Sequence, residues 1–227
     1  MSQSKLWHRF MPPIPWRKEF YGNMVYFNLR DCAYLLRLST AYIEKTERFS
    51  KILNGTSGAV WDVGCNVGIF SMLAASKNHK VIAFDISPKA ITHLLTGAAH
   101  NHVLIETVCR EFSLIASRYN PPSNARPSNH PVPGCCHSIT YLEAALRHGV
   151  PSLIKMDIEG GEFQFLNDAG FKCWIVKNKI SFLVEMHGAQ PIWTDIPHIE
   201  SSPIHILYNP TKAQLDILNA PKGKYLT

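Results

Sequence analysis

The stretch AVWDVGCNVGIF, residues 59–70, decides how the rest of the chain is read. Val60, Trp61 and Val63 make an apolar run of strand length, and Gly64, Asn66 and Gly68 break it with residues that tolerate a tight turn. A helix then runs from Ile69 to about Ser76, and its first free N–H groups face back toward the turn. The same glycines let backbone approach a ligand closely. One strand later, KVIAFDI at 80–86 ends on Asp85. An acid about 20 residues past a glycine turn is where nucleotide-binding α/β folds meet ribose hydroxyls.

Two common nucleotide loops do not fit. The turn Gly64-Cys65-Asn66-Val67-Gly68 lacks the first spacing of G-x-G-x-x-G, so a dinucleotide pyrophosphate has no cradle. A P-loop needs Gly-Lys-Ser/Thr before its helix, and no lysine stands there. What remains is a D-x-G-x-N-x-G turn followed by an acidic strand end. The plain alternative is a strand-to-helix connection in an α/β protein, and the joint presence of turn and acid favours a binding site.

The second informative stretch is SLIKMDIEGGE, residues 152–162. Leu153, Ile154 and Met156 read as a buried parallel strand with Asp157 at its carboxyl end. Open α/β sheets bind ligands outside the carboxyl ends of their strands, so Asp62, Asp85 and Asp157 are expected to converge on one crevice. Glu159 and Glu162 follow across Gly160-Gly161, with a helix expected from about Glu162 to Asp168. They suit acid/base or cation work, or simply the acids that helix starts favour. ISFLVEMH, residues 180–187, is a further apolar strand ending in Glu185 and His187. A histidine at that end of a strand is a candidate base.

The 227 residues suffice for one sizeable core without disulfides, and 46% hydrophobic with 18% charged residues is an ordinary globular balance. The first residues, MSQSKLWHRFMPPIPW, hold no continuous apolar segment, and no run reaches membrane-spanning length, so a cytoplasmic protein is expected. Six scattered cysteines read as reduced thiols, and adjacent Cys135 and Cys136 with His137 are poorly spaced for one metal, so no metal site is expected. The formal charge of +6 is dispersed, which keeps nucleic acid a minority partner.

Around these motifs the expectation is an extended N-terminal arm over 1–20, held out of helix by Pro12, Pro13 and Pro15, and a single domain over 21–227. Residues 21–28 carry a short β signal, and Leu29 to about Leu53 shows helical spacing broken near Ser39. Ser87-Pro88 opens a helix to about Ala99, and 102–109 is the third strand. Residues 112–137, with prolines at 121, 122, 127, 131 and 133, read as an exposed loop insertion. Ser138 is expected to cap a helix over Ile139 to about His148. The tail reads as a strand at 204–208, a helix from Pro210 to about Asn219 and a last strand at 224–227.

Taken together, VWDVGCNVGIFS (60–71), VIAFDISP (81–88), LIKMDIEGGEFQFL (153–166) and FLVEMH (182–187) resemble the FkbM family of S-adenosylmethionine-dependent methyltransferases. Lys155, Asp157, Glu159, Gly160 and Glu162 match its I-K-x-D-x-E-G-x-E pattern, and the likeness covers about residues 22–190. The family commonly has Glu where this chain has Asp85. The resemblance implies a Rossmann-like class I methyltransferase fold, a mostly parallel sheet with helices on both faces. It also implies a cofactor site for S-adenosylmethionine made by Asp62, Gly64, Asn66, Gly68, Asp85, Ile86, Val108, Cys109 and Asp157. Its implied reaction is methylation of a hydroxyl on a small-molecule, sugar or secondary-metabolite acceptor, with Asp157, Glu159 or His187 as base or acceptor clamp. A nucleic-acid methyltransferase and a non-catalytic interaction module that keeps the fold are the alternatives, and the oligomeric state is left open.

Overall fold

A computed structural model of the chain describes residues 15–20, 23–28, 40–115, 138–187, 193–202 and 205–219. In chain order the elements are β1 (Pro15–Phe20), β2 (Asn23–Asn28), α1 (Thr40–Asn54), β3 (Val60–Val63), α2 (Ile69–Ser76), β4 (Val81–Phe84), α3 (Pro88–His100), β5 (Glu106–Val108), β6 (Phe112–Ser113), β7 (Ile139–Thr140), α4 (Tyr141–His148), β8 (Leu153–Met156), α5 (Glu162–Asn167), α6 (Ala169–Lys177), β9 (Ser181–Glu185), β10 (His198–Ser202), β11 (His205–Tyr208) and α7 (Lys212–Leu218).

Seven strands form the central sheet in the order β10-β11-β9-β8-β3-β4-β5. The five from β9 to β5 pair in parallel, and β11 and β10 add an antiparallel edge. The chain leaves β3 toward β4 and β5 and later returns to the other side of β3 as β8. That reversal, between β3 and β8, is where an open doubly wound sheet opens a crevice at its carboxyl edge.

The period of two along each strand sorts side chains onto two faces. Trp61, Val63, Ile82, Phe84, Ile154, Met156 and Phe182 pack with Phe165, Phe171 and Ile175 of α5 and α6. Val60, Val81, Leu153 and Leu183 pack on the opposite face with Phe49 and Ile52 of α1 and Phe70 and Leu73 of α2. Helices therefore cover both faces, and near-continuous apolar strands follow because neither face meets water. Asp62 and Lys155 fall on the α1 and α2 face by the same alternation, directly opposite each other in the β3–β8 register. A buried charge on one strand is tolerable because its counterion stands beside it on the next.

Several expectations change in detail. Residues 15–20 of the arm are a strand, paired antiparallel with β2 in a hairpin whose second strand lies against α2 and α3. The proline-rich stretch does not begin as an exposed loop. Phe112 is buried, with ring contacts to Trp61, Phe84 and Phe165, and β6 pairs in parallel with β7. The helix expected from Ile139 starts at Tyr141, because Thr140 rather than Ser138 takes the first-turn N–H of Glu143. α6 and the edge strand β10 have no counterpart in the sequence reading. The start of the 29–53 helical region, most of the proline-rich stretch with Cys135, Cys136 and His137, and the 224–227 strand lie outside the described residues.

Candidate active site

Because β3, β4, β5, β8 and β9 run in parallel, the residues that follow them share one edge. Gly64, Asp85, Cys109, Asp157 and His187 therefore line up along the carboxyl side of the sheet, whereas Asp62, expected beside Asp85 and Asp157, lies within β3.

The turn after β3 is held from beneath. The N–H groups of Gly64 and Cys65 both donate to the carbonyl of Phe84, at 2.9 and 3.1 Å. Asn66 sits at φ 50° on the exposed tip and donates its N–H to Asp85 Oδ2 at 2.8 Å. Asp85 Oδ1 accepts the N–H of Ser87, also at 2.8 Å. Each oxygen thus holds one backbone donor and keeps a lone pair for another, which is what a pair of ribose hydroxyls would use. Burial pushes the Asp85 carboxyl up, against these two N–H bonds, which pull it down. Its own N–H donates to the carbonyl of Val108 at 3.2 Å, so the ends of β4 and β5, with half-buried Ile86, Val108 and Cys109, form one side of the crevice.

The glycines serve the protein's own packing more than a ligand's approach. Gly64 has φ 77°, and a Cβ there would stand 1.8 Å from the carbonyl oxygen of Asp157. Gly68 has φ 85°, and its Cβ would meet Leu94 of α3 at 2.6 Å. The expected close backbone approach is real, but the backbone approached at Gly64 is that of the loop after β8.

Asp62 lies wholly buried under the turn. Ser71 Oγ in α2 donates to its Oδ2 at 2.6 Å, and Lys155 Nζ stands 3.4 Å from its Oδ1. Lys155, 2% exposed, also faces Asp157 Oδ2 at 3.7 Å and sits 4.7 Å above the ring of Phe70. Burial alone would push this ammonium down, but the negative charges of Asp62, Asp157 and Glu185 outweigh it and hold it above its usual range. The sequence reading noted Lys155 only as a motif match. The overlooked signal was a lysine inside an otherwise apolar strand, which must have a buried partner.

On the other side of the switch point, four groups gather. His187 Nε2 is 3.8 Å from Asp157 Oδ1 and 4.0 Å from Glu185 Oε1, and its Nδ1 is 3.3 Å from Glu162 Oε1. Burial, with Glu185 crowding beside it, pushes the Asp157 carboxyl up to about 6. Burial works on Glu185 in the same direction, but hydrogen bonds from His205 and from Lys45 at 2.8 Å more than offset it and hold Glu185 low. Lys45 belongs to α1 and His205 to β11, so this carboxylate ties both elements to the end of β9.

Of the three candidate catalytic residues, Asp157 and His187 come together and Glu159 stays apart. Glu159 has φ 55° and is exposed at the outer bend of the loop. Glu162, fully buried, stands in the cluster, with Oε1 accepting the N–H of Ile158 and Oε2 that of Gly160. Donor atoms of Asp157, Glu162 and His187 lie within 4.8 Å of one another, a spacing that could also take a cation. Among the described residues, no helix is long and apolar enough to cross a membrane.

The sequence profile described as the methyltransferase FkbM domain matches residues 62–202. No curated protein matches in sequence. Among solved structures, the chain is similar to PH0793, a candidate transferase of Pyrococcus horikoshii, with TM-score 0.51 at 12% identity over 87% of this chain and 71% of that one. It is also similar to the Thermus thermophilus 16S rRNA methyltransferase RsmC in complex with AdoMet and guanosine, with TM-score 0.50 at 9% identity over 88% and 50%. An S-adenosylmethionine-dependent methyltransferase of Agrobacterium tumefaciens aligns with TM-score 0.48 at 13% identity over 79% of this chain. The chain spans 55% of that protein's length. The likenesses to PH0793 and RsmC show the fold, and the profile, which runs from Asp62 near the end of β3 through β10 and takes in every cluster residue except Lys45 and His205, shows the family. The sheet order, the turn with its acid and the matched profile agree: the chain belongs to the FkbM family of S-adenosylmethionine-dependent methyltransferases.

Proposed function

We propose that the chain methylates a hydroxyl oxygen on a small-molecule, sugar or secondary-metabolite acceptor. The observation that carries this reading is the division of the carboxyl-edge crevice into two unlike halves. One half offers a backbone turn and the half-buried acid Asp85, and the other offers Asp157 and His187, 3.8 Å apart. The first suits a nucleoside with a charged amino-acid tail, held by Asp85 at the ribose, with the 64–68 turn beneath the methionine part. The second suits an oxygen that must lose a proton. S-adenosylmethionine, when bound, supplies an electrophilic methyl group, which leaves the protein to align the acceptor, exclude water and take up that proton.

A nucleic-acid acceptor fits less well. β8 runs into Asp157-Ile158-Glu159-Gly160, with no aromatic side chain to stack a flipped base. Cys65, Cys109 and Cys173 are not joined in disulfides, which is in keeping with a reducing, cytoplasmic setting.

Isothermal calorimetry with S-adenosylmethionine tests the first half. Wild type binds, and Asp85→Asn, folded by circular dichroism, binds at least about tenfold more weakly, the effect of roughly 1.4 kcal/mol for a lost charged hydrogen bond. Absence of binding by wild type, or unchanged binding by the variant, refutes the assignment.

A further inference from the structure

We infer that Asp157, Glu162 and His187 are the ligands of a divalent cation of the Mn²⁺ or Zn²⁺ class, held where β8 and β9 end. The role of that cation rests on the methyltransferase reading above, because its open side would receive the acceptor's hydroxyl oxygen. The binding site itself does not depend on that reading.

Three elements deliver one ligand each. Asp157 follows β8, Glu162 opens α5 and His187 lies just past β9, and one donor atom from each lies within 4.8 Å of the others. Ligand atoms at about 2.0–2.2 Å from a shared ion are about 3 Å apart when adjacent and about 4.4 Å apart when opposite. The 3.3 Å from Glu162 Oε1 to His187 Nδ1 and the 3.8 Å from Asp157 Oδ1 to His187 Nε2 fall inside that span. Small rotations of the half-buried Asp157 and His187 side chains close the widest gap. The ion takes one ring nitrogen and leaves the other to a hydrogen bond of its own, as metal-bound imidazoles commonly have. Glu162 is preset for the task. It is fully buried, and its Oε1 accepts the N–H of Ile158 while its Oε2 accepts that of Gly160. Those bonds fix the plane of the carboxylate, leave each oxygen a second lone pair and do not neutralise its charge.

Charge balance points the same way. Asp62, Asp157, Glu162 and Glu185 bring four negative charges to this end of the sheet. Lys155, between Asp62 and Asp157, and Lys45, on Glu185, bring two positive ones. Counting His205, 3.1 Å from Glu185, as charged still leaves an excess of one negative charge, and counting it neutral leaves two. Among the described residues, no lysine or arginine pairs with Glu162. Carboxylates taken out of water are paired or coordinate metals. Two carboxylates and one imidazole suit a borderline ion, and three protein ligands leave coordination positions open. An acceptor hydroxyl taking one of those positions would be both held and acidified there.

Mn²⁺ titration of the full chain, first stripped with a chelator, tests the site without any acceptor, with free Mn²⁺ followed by electron paramagnetic resonance. Wild type is expected to take up one Mn²⁺ per chain. His187→Asn and Glu162→Gln, each shown to be folded by circular dichroism, are expected to bind at least about tenfold more weakly. Glu159→Gln, at the exposed bend of the same loop, is expected to bind like wild type. No uptake by wild type overturns the proposal, as does unchanged affinity in either folded variant, or a loss in Glu159→Gln equal to theirs. If Glu162→Gln does not fold, half-buried His187→Asn decides alone. Calorimetry with S-adenosylmethionine in excess chelator separates the two readings. Cofactor binding by a chain that takes up no Mn²⁺ sinks the cation site alone, and Mn²⁺ uptake by a chain that binds no cofactor sinks the methyltransferase reading alone.

Discussion

Replacing Asp157 with Asn is expected to stabilise the fold at alkaline pH while damaging the site. Burial and the neighbouring Glu185 raise the Asp157 carboxyl from 3.8 to about 6, so the folded protein holds this proton more tightly than the unfolded chain does. A group raised on folding contributes stability that is fully present below its unfolded value and lost as pH rises through its folded value. Above pH 6 the ionised carboxylate therefore works against the fold, and at 1.36 kcal/mol per unit the upper bound is about 3 kcal/mol. Asn has the same shape and no charge, and Lys155 keeps Asp62 as its counterion at 3.4 Å. Urea unfolding at pH 8 should show Asp157→Asn more stable than wild type by about 2–3 kcal/mol, shrinking to less than about 1 kcal/mol at pH 4. Equal stabilities at pH 8, or a difference that does not shrink on acidification, would refute the argument that Asp157 is held against its electrostatic interest.

Lys155→Met should behave in the opposite way, losing about 3–5 kcal/mol at pH 7 because it leaves the wholly buried Asp62 without its counterion. Urea unfolding measures this, and a loss of less than about 1 kcal/mol would mean that Ser71 alone satisfies Asp62. Two glycine substitutions separate space from backbone strain. Gly64→Ala, driven against the Asp157 carbonyl at 1.8 Å, should cost more than about 4 kcal/mol or prevent folding. Gly160→Ala, with φ 99° and nothing within 4 Å of the added carbon, should cost only about 1–2 kcal/mol by thermal or urea unfolding. Similar losses for the two would show that the Asp157 carbonyl yields.

Much of the fold was legible because parallel strands buried on both faces leave a strong local trace. VWDV, VIAF, LIKM and SFLVE are short apolar runs ending in acids or glycine, and each became a strand of the sheet. Helix boundaries followed where a cap had little competition: Ser87 before Pro88 takes the N–H of Ala90. Where two hydroxyl residues stood close together, as at Ser138 and Thr140, composition did not choose between them. The choice was made by β6, which draws Ile139 and Thr140 into a strand. β10 escaped notice because it is a short edge strand between Pro197 and Pro203 with little apolar alternation.

Within the site, what was missed depended on contacts distant in sequence or on single backbone angles. Three acids crowd the stretch from Asp157 to Glu162, and their spacing does not tell which turns inward. A left-handed Glu159 and the Gly160-Gly161 bend send Glu159 out and Glu162 in. Asp62 and Lys155 are 93 positions apart, yet the β3–β8 register sets them side by side. The ties of Glu185 to Lys45 and His205 reach to a helix before the sheet and a strand after it, which no local pattern encodes.

The seat of Gly64 on the Asp157 carbonyl makes the two halves of the crevice share a wall one peptide thick. With no side chain between them, the loops after β3 and β8 keep a spacing that substitution at the seam cannot adjust by degrees, since any Cβ at Gly64 must push the Asp157 carbonyl aside.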